Sequence, residues 1–162
     1  MKRIYRISVA TEAIAVEHWP GWSAFDAAPP PRSTARADIA YAATALDSIA
    51  AATGLHELQH IRVVNGRMAD VSALLADDLR AWSGAGADVI AAFTVVHGDN
   101  IPACLVLLRW PSWQAALAGQ ATFEADASRS AARRVNRLAR GQAAIRGTER
   151  LFRPQLTATS MA

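Results

Sequence analysis

Apolar and polar positions alternate along the chain from His56 to Val64, a period of two that is typical of a β-strand. Asn65-Gly66 follows as a turn signal and ends this predicted strand. The period then changes, and apolar side chains recur every three or four positions at Met68, Val71, Leu74, Leu75, Leu79 and Trp82. This spacing predicts an amphipathic helix that ends near Ser83-Gly84, because glycine favours the left-handed conformation of a helix terminus.

Two apolar runs, Val89–Val96 and Ala103–Trp110, come next and are rich in β-branched and aliphatic residues. The segment between them contains Gly98-Asp99-Asn100, a composition that favours a connecting turn. We therefore predict a β-hairpin. Both runs are apolar at nearly every position, as is expected of strands that are buried on both faces.

The segment after the hairpin favours a long helix. Ser112 is suited to cap its start, and helix-favouring residues continue to about Arg140, with a break expected near Asp126. A last short strand is predicted from Thr148 to Phe152 and is stopped by Pro154.

The element order strand, helix, strand, strand, helix, strand predicts an α+β fold of the ferredoxin-like type, an antiparallel sheet with both helices on one face. We assign this domain to residues 55–154, and residues 155–162 to a flexible tail. Because the central strands are apolar on both faces, we expect a second copy of the sheet to cover the face without helices, which makes the protein a homodimer.

Residues 1–54 form an N-terminal extension for which two interpretations stay open. Trp19-Pro20-Gly21-Trp22 resembles Trp110-Pro111-Ser112-Trp113, and each follows a strand-like run, Ala13–Glu17 in the first case. An alanine-rich helix is predicted after the first motif, from about Thr34 to Ala52, as it is after the second. The extension is then a degenerate, truncated half-repeat. The other interpretation is that the short match is a coincidence.

Composition favours a folded protein of the cytoplasm. The 162 residues are 52% hydrophobic and 19% charged, which is too apolar for a disordered chain. The longest apolar runs are shorter than the roughly 18 residues that a membrane-spanning helix needs, and the start of the chain lacks the pattern of a secretion signal. Cys104 is the single cysteine, so an intramolecular disulfide and a cysteine-based metal cluster are excluded.

Charge is a weak indication of nucleic-acid binding. The formal net charge is +3 and the isoelectric point is about 9.7. Arginines are concentrated along the last predicted helix and after it, at Arg129, Arg133, Arg134, Arg137, Arg140 and Arg146. Because no aromatic residues that would stack on bases lie among them, a solvated helix face is the favoured interpretation.

The stretch from His56 to Met68, with the sequence HELQHIRVVNGRM, resembles the opening of NIPSNAP-family domains, which typically begin aromatic-Glu-Leu-Arg-x-Tyr-x-Val-x-x-Gly-Lys-Met. The resemblance continues in the order of elements and covers about residues 55–154. It implies the dimeric α+β barrel superfamily, in which antibiotic-biosynthesis monooxygenases and polyketide cyclases share one scaffold. The chain departs from the family pattern at Gln59, where Arg is usual, and at Ile61, where Tyr is usual.

The histidines and a few polar residues are the candidates for chemistry. His60 on the first strand and His97 in the hairpin turn are candidate acid or base groups, because imidazole titrates near neutral pH. Asp99 is placed to orient a ring or bind substrate, Gln59 to hold a carbonyl or hydroxyl, and Trp110 to shape an apolar pocket. Packing and ordinary turn chemistry are the alternatives for each of them.

The sequence contains no phosphate-binding loop, dinucleotide fingerprint or metal-ligand spacing, so we expect neither a cofactor nor a metal. The hypothesis is a small-molecule binding or transforming protein of the dimeric barrel type, with cofactor-independent oxygenase- or cyclase-like chemistry if it is an enzyme. The alternative is a non-catalytic dimeric interaction protein. No membrane partner is expected, and nucleic acid is disfavoured.

Overall fold

The structure is a computed structural model that describes residues 3–27, 37–43 and 49–161. Its strands are β1 (Ile4–Val9), β2 (Ala13–Trp19), β3 (Ala37–Ala42), β4 (Ala52–Val63), β5 (Asp88–His97), β6 (Ala103–Trp110) and β7 (Ile145–Ser160). Its helices are α1 (Trp22–Asp26), α2 (Met68–Gly84), α3 (Trp113–Ala125) and α4 (Ala127–Arg140). Within the described ranges, none of the helices is both long and apolar enough to cross a membrane.

The described strands form one closed barrel in the order β1-β2-β7-β4-β6-β5-β3, with β3 pairing back onto β1. All pairings are antiparallel except that of β2 with β7. The prediction of an open, ferredoxin-like sheet is therefore wrong. Strands β7-β4-β6-β5 lie side by side, but β2 pairs with β7 and β3 pairs with β5, so the two edges that an open sheet would leave unpaired are hydrogen-bonded.

The face without helices was predicted to be covered by a second copy of the sheet, but the chain's own front strands close the barrel over it, so that prediction is also wrong. Apolar side chains of β1 and β2 such as Tyr5, Ile7 and Ile14 pack inside it against Phe93 and Leu105. The face expected to meet a partner sheet is thus the filled interior of a single-chain barrel. A homodimer formed through some other surface stays a prediction.

The front segment also differs from its predicted secondary structure. Within the range Thr34–Ala52, which was predicted to be helical, residues Ala37–Ala42 form β3, and residues 34–36 and 44–48 lie outside the described residues. Alanine favours helix in isolation, but here pairing with β1 and β5 closes the barrel and outweighs that propensity. Strand β1, which was not predicted, closes the barrel by pairing with both β2 and β3.

The two Trp-Pro motifs lie at equivalent places in the fold. Trp19 ends β2 and is buried, and Trp22 begins α1. Trp110 likewise ends β6 and is buried, and Trp113 begins α3. The origin of the front segment as a repeat stays a prediction, because a shared local turn is not by itself evidence of duplication.

The end of the chain agrees with its predicted structure in one respect and differs from it in another. The predicted helix break at Asp126 is confirmed: Asp126 ends α3 in an extended conformation and caps the start of α4. The last strand was predicted to stop at Pro154, but β7 continues to Ser160 because residues 155–160 pair with β2. The segment expected to be a flexible tail is therefore largely part of the barrel wall.

Strand β4 separates two cores because its side chains alternate between the faces of the sheet. Leu58 packs inside the barrel. Ile61 and Val63 point outward and pack under α2 and α3, against residues such as Leu75 and Phe123. The outer core is therefore a layer between the barrel wall and the helices, and the candidate site lies in this layer.

Candidate functional site

A cavity of about 270 Å³ lies between the outer face of β4, β6 and β7 and the helices α2, α3 and α4. Ile61, Trp82, Val106 and Phe123 form its apolar wall. The rings of Trp82 and Phe123 are stacked, with centroids 3.7 Å apart and planes at 8°. One side of the cavity is therefore suited to an apolar ligand surface.

The sheet side of the cavity carries a hydrogen-bonded cluster centred on Glu57, whose side chain is 0% exposed. Arg150 donates to Glu57 through Nε at 2.5 Å and through a terminal nitrogen at 2.9 Å. Gln59 Nε2 and Trp110 Nε1 each donate to Glu57 at 2.7 Å. These four donors occupy the acceptor positions of the buried carboxylate. Glu57 therefore fixes the positions of Gln59 and Arg150, which line the cavity.

The helix side carries a second buried carboxylate, Asp78 of α2, between two arginines of α4. Arg129 Nε donates to Asp78 at 3.1 Å, and Arg133 donates to the other carboxylate oxygen. Burial raises the pKa of Asp78, while the guanidinium groups of Arg133 and Arg129 act to lower it. Burial also lowers the pKa of Arg129, whose guanidinium lies 3.8 Å from the centroid of the Phe123 ring.

Two buried polar atoms of residues that line the cavity have no hydrogen-bond partner among the described residues: Oε1 of Gln120 and Nε of Arg133. The other end of the Gln120 amide donates to Glu124, and the other end of the Arg133 guanidinium donates to Asp78. Buried polar groups without partners are uncommon in native proteins and call for an explanation. Gln120 thus has one unused acceptor, and Arg133 has one unused donor.

Of the residues predicted to bind substrate, Gln59 lines this cavity and Trp110 supports it from behind. The Trp110 indole is buried, donates to Glu57 and packs edge-on against Trp82, with 5.8 Å between centroids. Trp110 therefore positions the wall and does not form its surface.

The predicted acid and base residues lie elsewhere. His60 points into the barrel, on the opposite face from Gln59, and its Nε2 is 3.7 Å from Asp38 Oδ2. His97 is exposed at the end of β5, and Asp99 is exposed in the turn after it. The structure thus does not bring a histidine and Gln59 together in one cavity, because alternate residues of a strand face opposite sides.

Asp78, Arg129, Arg133, Gln120 and Arg150 line the cavity and were not predicted from the sequence. A signal for Asp78 was present, since it falls on the buried stripe of α2 together with Val71, Leu75 and Trp82. A carboxylate on an apolar helix face needs a partner, and the arginines of the last helix were the available cations.

Together, fold and site define a single-chain closed α+β barrel with an amphipathic cavity between its wall and its helices. Comparison with protein-family models found no match, and comparison with curated proteins found no similar protein. Among solved structures, the chain is similar to an uncharacterised NIPSNAP domain protein from Burkholderia xenovorans, with 16% identity and a TM-score of 0.48 over 60% of this chain and 90% of the other.

The chain is also similar to a NIPSNAP family protein of unknown function from Agrobacterium tumefaciens, with 15% identity and a TM-score of 0.47 over 60% of this chain and 84% of the other. Both structures are described as NIPSNAP proteins, the family that the stretch from His56 to Met68 resembles in sequence.

Proposed function

We propose that this protein binds a small organic molecule in the cavity between the barrel wall and helices α2, α3 and α4. The observation that carries this proposal is the pairing of an apolar wall, which includes the stacked rings of Trp82 and Phe123, with a polar wall that is already fixed in place. Small-molecule sites combine these two properties, and a volume of about 270 Å³ is just below their usual range of roughly 300–1,000 Å³.

The polar wall is preorganised. Glu57 holds Gln59 and Arg150 by hydrogen bonds before any ligand arrives, and Asp78 does the same for Arg129 and Arg133. Fixed donors lose less conformational entropy when a ligand binds, which favours affinity. The proposal is for binding without catalysis, because the histidines expected to transfer protons lie outside this cavity.

A blocking variant tests the proposal. Thr148 lies on the cavity rim and is exposed, so Thr148→Trp is expected to fill the cavity without disturbing the core. Thr157→Trp is the matched control, since Thr157 is exposed on the same strand and does not line the cavity. The probes are phenol, benzamide and benzoate, observed by saturation-transfer NMR.

We expect at least one probe to bind the unmodified protein and Thr157→Trp, and binding to fall by about tenfold or more in Thr148→Trp. Circular dichroism at matched concentrations checks that both variants are folded. If no probe binds, or if Thr148→Trp binds as well as the control, the cavity is not a binding site.

A further inference from the structure

On the helix side of the cavity, arginines and carboxylates are not paired one to one. Arg129 and Arg133 both bind the single carboxylate of Asp78, and Asp126 is a second negative charge that acts on Arg129. Glu124 also lines the cavity, but it is exposed and accepts a hydrogen bond from the Gln120 amide. On the sheet side, Arg150 is paired with Glu57. Among the described residues, Arg133 is therefore the cavity arginine whose ion-pair partner is shared with another cation.

The hydrogen-bond donor without a partner also belongs to Arg133. The side chain of Arg133 is 28% exposed, yet its Nε is buried and has no acceptor among the described residues. Guanidinium groups form their strongest hydrogen bonds with carboxylates, and a ligand carboxylate would give Arg133 an ion-pair partner that it does not share with Arg129. The chemistry at Arg133 thus favours an anionic ligand group.

The unused acceptor belongs to Gln120 of α3. Its Nε2 donates to Glu124, which leaves the carbonyl oxygen Oε1 as the atom without a partner. A carboxylate ligand cannot satisfy this atom, because both groups only accept. A ligand hydroxyl or N–H would satisfy it.

We infer that the ligand is a small carboxylic acid with an apolar body and one additional hydrogen-bond donor, a hydroxyl or an amino group. Its carboxylate binds Arg133, its donor binds Gln120 Oε1, and its apolar body packs against Trp82 and Phe123. This inference rests on the proposed function, since it names the chemical class of ligand for the same cavity.

The first test compares ligands on the unmodified protein by isothermal titration calorimetry. Benzoate and benzamide have nearly the same shape and differ in charge, so we expect benzoate to bind about tenfold tighter. The three hydroxybenzoate isomers add a donor at different positions, and we expect one of them to bind about five- to tenfold tighter than benzoate. Equal affinity for benzoate and benzamide overturns the assignment of a carboxylate.

The second test assigns each preference to its residue. Arg133→Met is expected to abolish the preference for benzoate over benzamide and to leave benzamide binding in place. Gln120→Leu is expected to remove the gain from the hydroxyl and to leave benzoate affinity within about twofold. Arg134→Met is the matched control, because Arg134 is exposed on the same helix and does not line the cavity.

The outcomes separate the two proposals. If neutral and acidic probes bind equally and Thr148→Trp blocks both, the cavity binds ligands but the inferred class is wrong. If Arg133→Met keeps the preference for acids, or Gln120→Leu keeps the hydroxyl gain, the assigned contacts are wrong. If nothing binds the unmodified protein, the proposed function itself fails.

Discussion

The indole nitrogen of Trp110 donates a 2.7 Å hydrogen bond to Oε2 of Glu57, and both side chains are buried under the helices. The bond connects the end of β6 to the middle of β4. Glu57 therefore forms hydrogen bonds with both the outer core and the cavity wall. Arg150 and Gln59 bind the same carboxylate from the cavity side. Glu57 is therefore expected to affect both folding stability and the shape of the site.

Glu57→Gln removes the negative charge and leaves Arg150 beside a neutral amide. Removing one partner of a buried ion pair costs about 3–5 kcal/mol. Because the side chain of Arg150 is 24% exposed, water screens part of its charge, and we expect a loss of about 2–3 kcal/mol in the free energy of unfolding. Urea denaturation measures this loss.

Glu12→Gln is the control for the removal of one acidic charge, because Glu12 is exposed in the turn between β1 and β2. Its unfolding free energy is expected to change by less than about 0.5 kcal/mol. Equal stability of the Glu57 and Glu12 variants would contradict the central place given to Glu57.

Gly119→Ala in α3 is expected to destabilise the protein although alanine is the better helix former. A Cβ at this position would overlap the Trp110 ring and also meet the backbone oxygen of Ala85. Overpacking of this kind costs about 1–3 kcal/mol, more than the roughly 0.5–1 kcal/mol that alanine gains over glycine in a helix. Thermal and urea unfolding measure the net effect.

Gly84→Ala serves as the control, because Gly84 is in helix α2 and a Cβ there meets no atom within 4 Å. It is expected to leave stability unchanged or to raise it by up to about 1 kcal/mol. A Gly119→Ala protein as stable as this control would show that α3 does not pack closely on Trp110.

Local patterns were sufficient to predict the elements between residues 55 and 140, whereas β7 extends beyond its predicted bounds at both ends. β6 has its predicted bounds, Ala103–Trp110, and α2 begins at Met68 as the helical spacing indicated. The front of the chain was not predictable in the same way. β3 (Ala37–Ala42) is a strand because it pairs with β1 and β5, partners distant in sequence that its own alanine-rich composition does not reveal.

Part of the site was predictable from the strand that begins at His56. Gln59 was predicted there as a group that holds a carbonyl or hydroxyl, and it does line the cavity. Arg129 and Arg133 could not be distinguished from Arg134 and Arg137, because all of them lie along one arginine-rich helix. Which of them turn inward depends on how α4 docks on Asp78, and that is a property of tertiary packing.

Asp126 is expected to control the stability of α4. Its carboxylate accepts from the backbone N–H of Arg129 at 2.7 Å and from the Ser128 hydroxyl at 2.9 Å, and these bonds hold the pKa of Asp126 below its usual value. A lowered pKa means that the cap stabilises the protein above the unfolded-state pKa and that this stability is lost as pH falls through the folded-state pKa.

Asp126→Ala is therefore expected to lower the melting temperature at pH 7, and the difference from the unmodified protein is expected to narrow below about pH 4. Asp126→Asn keeps an acceptor without the charge, so its melting temperature at pH 7 is expected to lie between those of Asp126→Ala and the unmodified protein. A difference for Asp126→Ala that is constant from pH 7 to pH 3 would rule out a charged cap.

His56 is expected to make stability fall when the pH drops below neutral. Its side chain is fully buried, and burial lowers its pKa; the nearby backbone of Gly54 acts to raise it, and Arg109 on the adjacent strand lowers it further. The unfolded chain then binds a proton near pH 6.5 while the folded protein does not, so acid favours unfolding.

The unfolding free energy of the unmodified protein is thus expected to be fully retained above about pH 7 and to decline between pH 7 and pH 5. His18, whose pKa is also lowered mainly by burial, contributes in the same direction. His56→Leu removes one of these two histidines. The unfolding free energy of this variant is therefore expected to decline less steeply over this pH range than that of the unmodified protein, whatever its value at pH 7. Urea unfolding at half-unit pH steps measures both slopes, and identical slopes would show that His56 is not held in its neutral form by the barrel.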